Sequence, residues 1–159
     1  MTGEAGTIRV RPARPDEGDR ITRFNLAMAA ETEGRTLDRD RLAAGVERVL
    51  ADPALGFYLV AELAGRTAAC LLVTYEWSDW RNGCFWWIQS VYVEPGMRKR
   101  GLFTALYREV VRRAREEGAC GVRLYVEADN RAARLVYGRL GLAETGYRLL
   151  EVDWSRDET

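Results

Sequence analysis

The sequence predicts an α/β fold of the α+β kind, with a single mixed, mostly antiparallel sheet flanked by helices. Three observations predict it. Residues 57–94 hold three consecutive apolar strands separated by turn signals, which implies hairpins and antiparallel pairing. From residue 84 onward strands and helices alternate, which implies parallel or splayed neighbours. The chain's 159 residues, 47% hydrophobic and 30% charged, suit one domain around one core. That domain is expected over residues 7–153, with residues 1–6 and 154–159 as flexible termini.

The elements follow in order. Alternation in TIRVRPA predicts a strand over Thr7–Arg11, and Pro15-Asp16-Glu17 opens a helix with acids in its first turn. Ile21, Phe24, Leu26 and Met28 give that helix its apolar side. After the polar break ETEGRTLDRD, Asp38 caps a second helix through Leu50, and Asp52-Pro53 ends it. Two apolar runs joined around Gly65 form a hairpin from Phe57 to Trp77. The turn Arg81-Asn82-Gly83 leads into a strand over Cys84–Glu94. Pro95-Gly96 breaks the chain before a helix over Gly101–Glu117. GVRLYVEA forms a further strand, NRAARLVYGRLG a helix stopped by Gly141, and GYRLLEVDW a last strand that closes the sheet.

Composition excludes several functions. The 24 cationic and 24 anionic side chains cancel, which argues against a general nucleic-acid or membrane surface. The N-terminal stretch has no apolar run of the signal-peptide kind, and no segment reaches the ~20 apolar residues of a membrane span. Cys70, Cys84 and Cys120 are odd in number and widely spaced, so neither a disulfide framework nor a zinc site is expected, and a reduced cytoplasmic setting fits best. The chain has no histidine. Ser-His and Cys-His nucleophile pairs are therefore excluded, and no metal site is expected.

The stretch SVYVEPGMRKRGLFTALYREVV places Arg98, Lys99 and Arg100 between a strand and a helix start. A helix N-terminus carries unpaired N–H groups and partial positive charge, so it suits an anion. Gly101 lets backbone approach a bulky polyanion. The alternative is a solvated basic turn. No Walker loop and no dinucleotide fingerprint occurs.

VYVEPGMRKRGLFTALYREVVRRARE resembles the acyl-CoA-binding motif of the GNAT N-acetyltransferases, R/Q-x-x-G-x-G/A, with Phe103 in place of the last small residue. LYVEADNRAARLVYGRLGLAETGYRLLEVD resembles the second half of the family pattern, and there is some similarity to diamine N-acetyltransferases. The resemblance implies a splayed central strand pair, acetyl-CoA (coenzyme A) as cofactor and acetyl transfer to an amine. It implies that Val91, Tyr92 and Val93 pair with the pantetheine arm, with Ser90 beside them. It places Arg98, Lys99, Arg100, Gly101, Leu102 and Phe103 at the pyrophosphate and Asn130 near the arm. Tyr137 falls at the family's position for the acid that protonates the leaving thiolate; from its neighbours alone, it would be a core aromatic. Asn130 is also a natural helix cap.

The acceptor side is less specified. An alkylammonium with a pKa of ~10.4 must lose a proton before it attacks. Glu31, Glu33, Glu76, Asp79 and Glu127 are the carboxylates available, and Gln89 occupies the strand position where many family members carry a glutamate. Trp77 and Trp80 beside Glu76 and Asp79 suit a cationic amine by cation–π contact and ion pairing, or they cover a hairpin or a dimer contact. The expected partner is a small-molecule amine, with no nucleic acid and no membrane; homodimerisation is left open. Cys84 and Cys120 lack an activating neighbour in sequence, so direct transfer is expected rather than an acyl-cysteine. The other readings are a silent acyl-CoA-sensing module and a protein N-terminal or lysine acetyltransferase.

Overall fold

The computed structural model describes residues 6–156, and it divides after Tyr125 into two compact units. The expectations for residues 1–5 and 157–159 lie outside the described residues.

The first unit is a five-stranded sheet in the order β1-β2-β3-β4-β5: β1 Ile8–Pro12, β2 Phe57–Leu63, β3 Arg66–Ser78, β4 Gly83–Val93 and β5 Gly121–Leu124. The first three pairings are antiparallel, and β4 with β5 is parallel. Helices α1 (Gly18–Glu33) and α2 (Arg39–Ala51) follow β1, and α3 (Leu102–Glu116) joins β4 to β5. A 3-10 turn at Pro15–Glu17 leads into α1. Asp38 caps α2 as expected, accepting from the Arg41 N–H at 2.9 Å.

Strand alternation sends alternate side chains to opposite faces. Tyr58, Val60, Cys70 and Tyr92 meet Ile21 and Phe24 of α1 and Val46 of α2. Leu59, Ala61, Ala69, Leu71 and Val73 point the other way, where α3 contributes Leu102, Leu106, Val110 and Ala114, all buried. Cys70 lies inside the first layer, and burial pushes its thiol up to about 12, so it is an inert core thiol.

One buried ionic cluster ties β1 to the entry of α1. Arg11 donates to both oxygens of Glu17 at 2.8 Å and to Glu62 at 2.8 Å, and the Arg14 N–H adds a bond of 2.7 Å to Glu17. Arg11, above all, holds the Glu17 carboxyl down to about 2. A depressed carboxylate stabilises the fold above its unfolded pKa and loses that contribution as pH falls toward its folded pKa. Acid should therefore remove roughly 3 kcal/mol as pH falls from about 4.5 to about 2. Denaturant midpoints measured across that range should fall more steeply for the wild type than for Glu17→Gln; parallel curves would contradict the assignment.

The second unit contains α4 (Arg131–Arg139) and a 3-10 turn at Trp154–Arg156. Asn130 caps α4, accepting from the Ala133 N–H at 3.0 Å, and Arg134 holds Glu144 and the Ala128 carbonyl. Gly141 at φ 92° ends this segment in the left-handed region, as its role as a stop requires.

Two expectations are corrected. GVRLYVEA forms a strand only over Gly121–Leu124, and GYRLLEVDW forms no strand. A ladder needs a backbone neighbour as well as an alternating face. Among its described residues the second unit contains no strand to pair with residues 146–154, and Leu149-Leu150 breaks the alternation; Tyr147, Leu149, Leu150 and Val152 are exposed.

Candidate active site

The site begins with a register shift. Leu72 of β3 faces Ser90, but Val73 faces Ile88, so Gln89 is an extra residue in β4. Such a bulge bends a strand and ends regular pairing. The ladder to β5 runs from Phe85 with Gly121 to Ile88 with Leu124 and stops there. Beyond the bulge, Ser90 to Val93 remain paired to β3 and have no ladder partner on the β5 side among the described residues. This is the splay that the family resemblance implies.

Backbone parity shows which groups face this open edge. The Glu94 N–H bonds to the Ala68 carbonyl on β3 at 2.9 Å. Alternation then directs the backbone groups of Val91 and Val93 away from β3. The Val93 carbonyl does face outward, because it accepts from Arg98 Nε at 2.9 Å.

A 3-10 turn at Pro95–Met97 follows β4, and the chain enters α3 at Gly101. Gly101 has φ 86° and is the N-cap, with no side-chain cap bond. The first bond of the helix runs from the Ala105 N–H to the Gly101 carbonyl at 3.0 Å. The N–H groups of the first helical residues precede the intrahelical ladder, as at any helix start, and no side chain caps this start. Lys99, at φ 61°, and Arg100 are exposed beside it.

Arg98 is used differently. Its guanidinium folds back over the Tyr92 ring, 5.7 Å from the centroid, and donates to Glu31 of α1 at 2.5 Å. Tyr92, read from sequence as a backbone contributor, is buried against Phe24, and its hydroxyl donates to the other Glu31 oxygen at 3.0 Å. Arg98 first and Tyr92 second hold the Glu31 carboxyl below its usual range. Burial, with Glu31 beside it, raises the Tyr92 hydroxyl.

Of the remaining acceptor candidates, Glu33 ends α1, Glu127 belongs to the second unit, and the others are dispersed along the β3–β4 hairpin. Glu76 is ion-paired with Arg123 of β5 at 2.5 Å, and Arg123 also lies 3.6 Å from the Phe85 ring centroid. Asp79 shapes the turn, accepting from the Trp80 N–H at 2.8 Å. Gln89 donates to Thr74 Oγ1 at 2.8 Å. Trp77 and Trp80 are 65% and 86% exposed, too open to be walls of an enclosed cation pocket. Trp86 is buried, and Trp87 lies 4.4 Å from Tyr125, ring to ring. The sequence reading missed Arg123 and the Tyr92 hydroxyl, because their partners lie 47 and 61 residues away.

In the second unit, Tyr137 is half-buried in the last turn of α4, and burial raises its hydroxyl above the usual tyrosine value. No cluster of three or more metal-binding side chains occurs among the described residues, and no described helix is long and apolar enough to cross a membrane.

The first unit thus sets an opened β4 edge beside a glycine-capped helix start. Residues 21–142 match the Acetyltransferase (GNAT) family, and the chain belongs to that family. It is 32% identical over 130 residues to a mycothiol acetyltransferase of Corynebacterium aurimucosum, covering 80% of this chain and 43% of that protein. A mycothiol acetyltransferase of Pseudarthrobacter chlorophenolicus is 33% identical over 141 residues, covering 84% of this chain and 42% of that protein. The chain thus spans under half the length of these curated relatives. A solved structure described as a possible acetyltransferase from Clostridium difficile 630 is 42% identical, with a TM-score of 0.85, covering 92% of this chain and 97% of that one. An aminoglycoside N-acetyltransferase in complex with CoA shares the fold at 15% identity, with a TM-score of 0.77, covering 97% of this chain and 99% of that one.

Proposed function

We propose that this chain is an acetyl-CoA-dependent N-acetyltransferase that moves the acetyl group directly to a primary amine, with a small cationic amine as acceptor. The carrying observation is the uncapped start of α3 at Gly101 beside the unpaired edge of β4 at Ser90–Val93. An extended thioester cofactor with a pyrophosphate needs both a strand edge for its amides and an anion cradle for its phosphates.

In this reading the Val91 carbonyl and the Val93 backbone groups pair with the pantetheine arm. The N–H groups opening α3, with Lys99 and Arg100, take the pyrophosphate, and Asn130 lies near the arm. The cofactor supplies an activated acetyl thioester. The Val91 N–H is the donor for the oxyanion that develops on the acyl carbon, and a fixed donor there lowers the barrier more than the ground state. Tyr137 protonates the departing thiolate. A phenol of pKa ~10 is protonated near neutral pH and can hydrogen-bond or donate to the thiolate as it forms; burial, which raises the hydroxyl, keeps it protonated but makes full transfer to a thiolate of pKa ~8.5 less favourable. Glu31 is the carboxylate tied to the loop through Arg98 and is the candidate to attract the ammonium and pass its proton to solvent. The mycothiol acetyltransferase relatives support a small-molecule acceptor over a protein one. A cytoplasmic setting is part of the proposal, and the oligomeric state is left open.

Tyr137→Phe tests the enzyme reading against a silent acyl-CoA sensor. Turnover should fall roughly 100-fold or more with coenzyme A affinity unchanged. Loss of affinity in step with turnover would place Tyr137 in binding or packing instead.

A further inference from the structure

The cluster of Glu31, Tyr92 and Arg98 lies where two sites meet. Arg98 belongs to the loop before α3, Glu31 to the last turn of α1, and Tyr92 to the opened half of β4. Both side-chain hydrogen bonds of Arg98 use groups that the two substrates would want. Its Nε bond occupies the Val93 carbonyl, the outward acceptor on the edge where the pantetheine arm would pair. Its Nη2 bond occupies Glu31, the carboxylate offered to a cationic acceptor. The pairing therefore keeps one loop cation from the phosphates and one carboxylate from the amine.

We infer that Glu31 is a positioning residue that couples the two substrate sites by exchanging Arg98 for a cationic acceptor. This rests on the functional reading above. An arm amide competes with Arg98 Nε for the Val93 carbonyl, and the phosphates compete with Glu31 for the guanidinium. Once Arg98 turns to the phosphates, Glu31 keeps only the Tyr92 hydroxyl and is left with an uncompensated negative charge for an ammonium to meet. Coupling of this kind is reciprocal: a cation on Glu31 releases Arg98 for the cofactor as much as the cofactor releases Glu31 for the cation. Partial exposure of both groups keeps the exchange shallow and reversible.

The test is calorimetric titration with coenzyme A at low salt on the wild type, Glu31→Gln, Arg98→Gln and the double variant. Glu31→Gln keeps the shape and a partner for Tyr92 but releases Arg98, so coenzyme A should bind roughly three- to five-fold tighter. Arg98→Gln should bind more weakly, and adding Glu31→Gln to it should change nothing. Glu31→Asp retains the charge but shortens its reach to Arg98; it should also tighten binding and serves as a second variant if the Gln protein is unstable. A clamp with a purely structural role would weaken binding when broken, so weaker or unchanged affinity in Glu31→Gln overturns the inference. Equal tightening without Arg98 also overturns it, since that is a plain charge effect. A folded wild type that takes up no coenzyme A overturns the functional reading itself, whereas wild-type binding with no effect at Glu31 overturns only the coupling.

Discussion

Gly101→Glu should abolish coenzyme A binding, with affinity falling about 100-fold or more while the fold survives. The backbone at this residue has φ 86°, where a side chain is strained, and the added carboxylate sits at the positive end of α3 where the phosphates must approach. The space itself is not crowded. A Cβ there would meet only Ile8 Cδ1, at an ordinary 3.7 Å, so the stability cost should be limited to about 1–2 kcal/mol of backbone strain. Titration of the variant beside the wild type, with thermal unfolding of both, separates the two effects. Retained affinity in a folded variant would contradict the placement of the pyrophosphate at this helix start.

Gly56→Ala should be the most damaging single methyl in the first unit. Gly56 has φ 150°, and a Cβ on it would lie 2.1 Å from the Val73 carbonyl oxygen, an impossible approach to backbone. Val73 is the β3 residue at the register shift, so the device that opens the β4 edge is seated against this glycine. Either β2 moves away or the bulge is rebuilt. The expected cost is about 3 kcal/mol or more, equivalent to a fall in Tm of roughly 6–12 °C for a chain of this size. Gly65→Ala is the control: it is also at positive φ, 76°, but with nothing within 4 Å, and should lose only about 1 kcal/mol. Equal melting of the two variants would contradict the tight seat at Gly56.

Most of the sheet was legible because its signals are local. Alternation identified the strands from Ile8 to Val93, Asp38 declared itself as a cap, and Gly101 between a strand and an amphipathic helix marked the start of α3. The splay was legible only through the family motif. Its physical cause, one extra residue at Gln89, leaves no trace in the hydrophobic pattern because the alternation simply restarts in the other phase. Arg98 shows the same limit from another side. Its place in a basic run pointed to phosphate, and nothing nearby revealed the carboxylate 67 residues earlier that holds it. Glu76 looked available beside two tryptophans until β5 brought Arg123 against it. The expected last strand failed because residues 146–154 supply an apolar pattern without a partner.

The central claim is that this chain transfers an acetyl group from acetyl-CoA to a small cationic amine. The most direct measurement is the initial rate of thiol release from acetyl-CoA with three acceptor classes supplied separately: a linear polyamine, an aminoglycoside and a peptide with a free N-terminus. Release should be saturable, require an amine, be fastest with a small cationic acceptor, and leave no acetyl group on the protein when acetyl-CoA is supplied alone. Coenzyme A binding without thiol release in any class would contradict the claim and leave a sensor of acyl-CoA; release fastest with the peptide would move the acceptor site to a protein substrate.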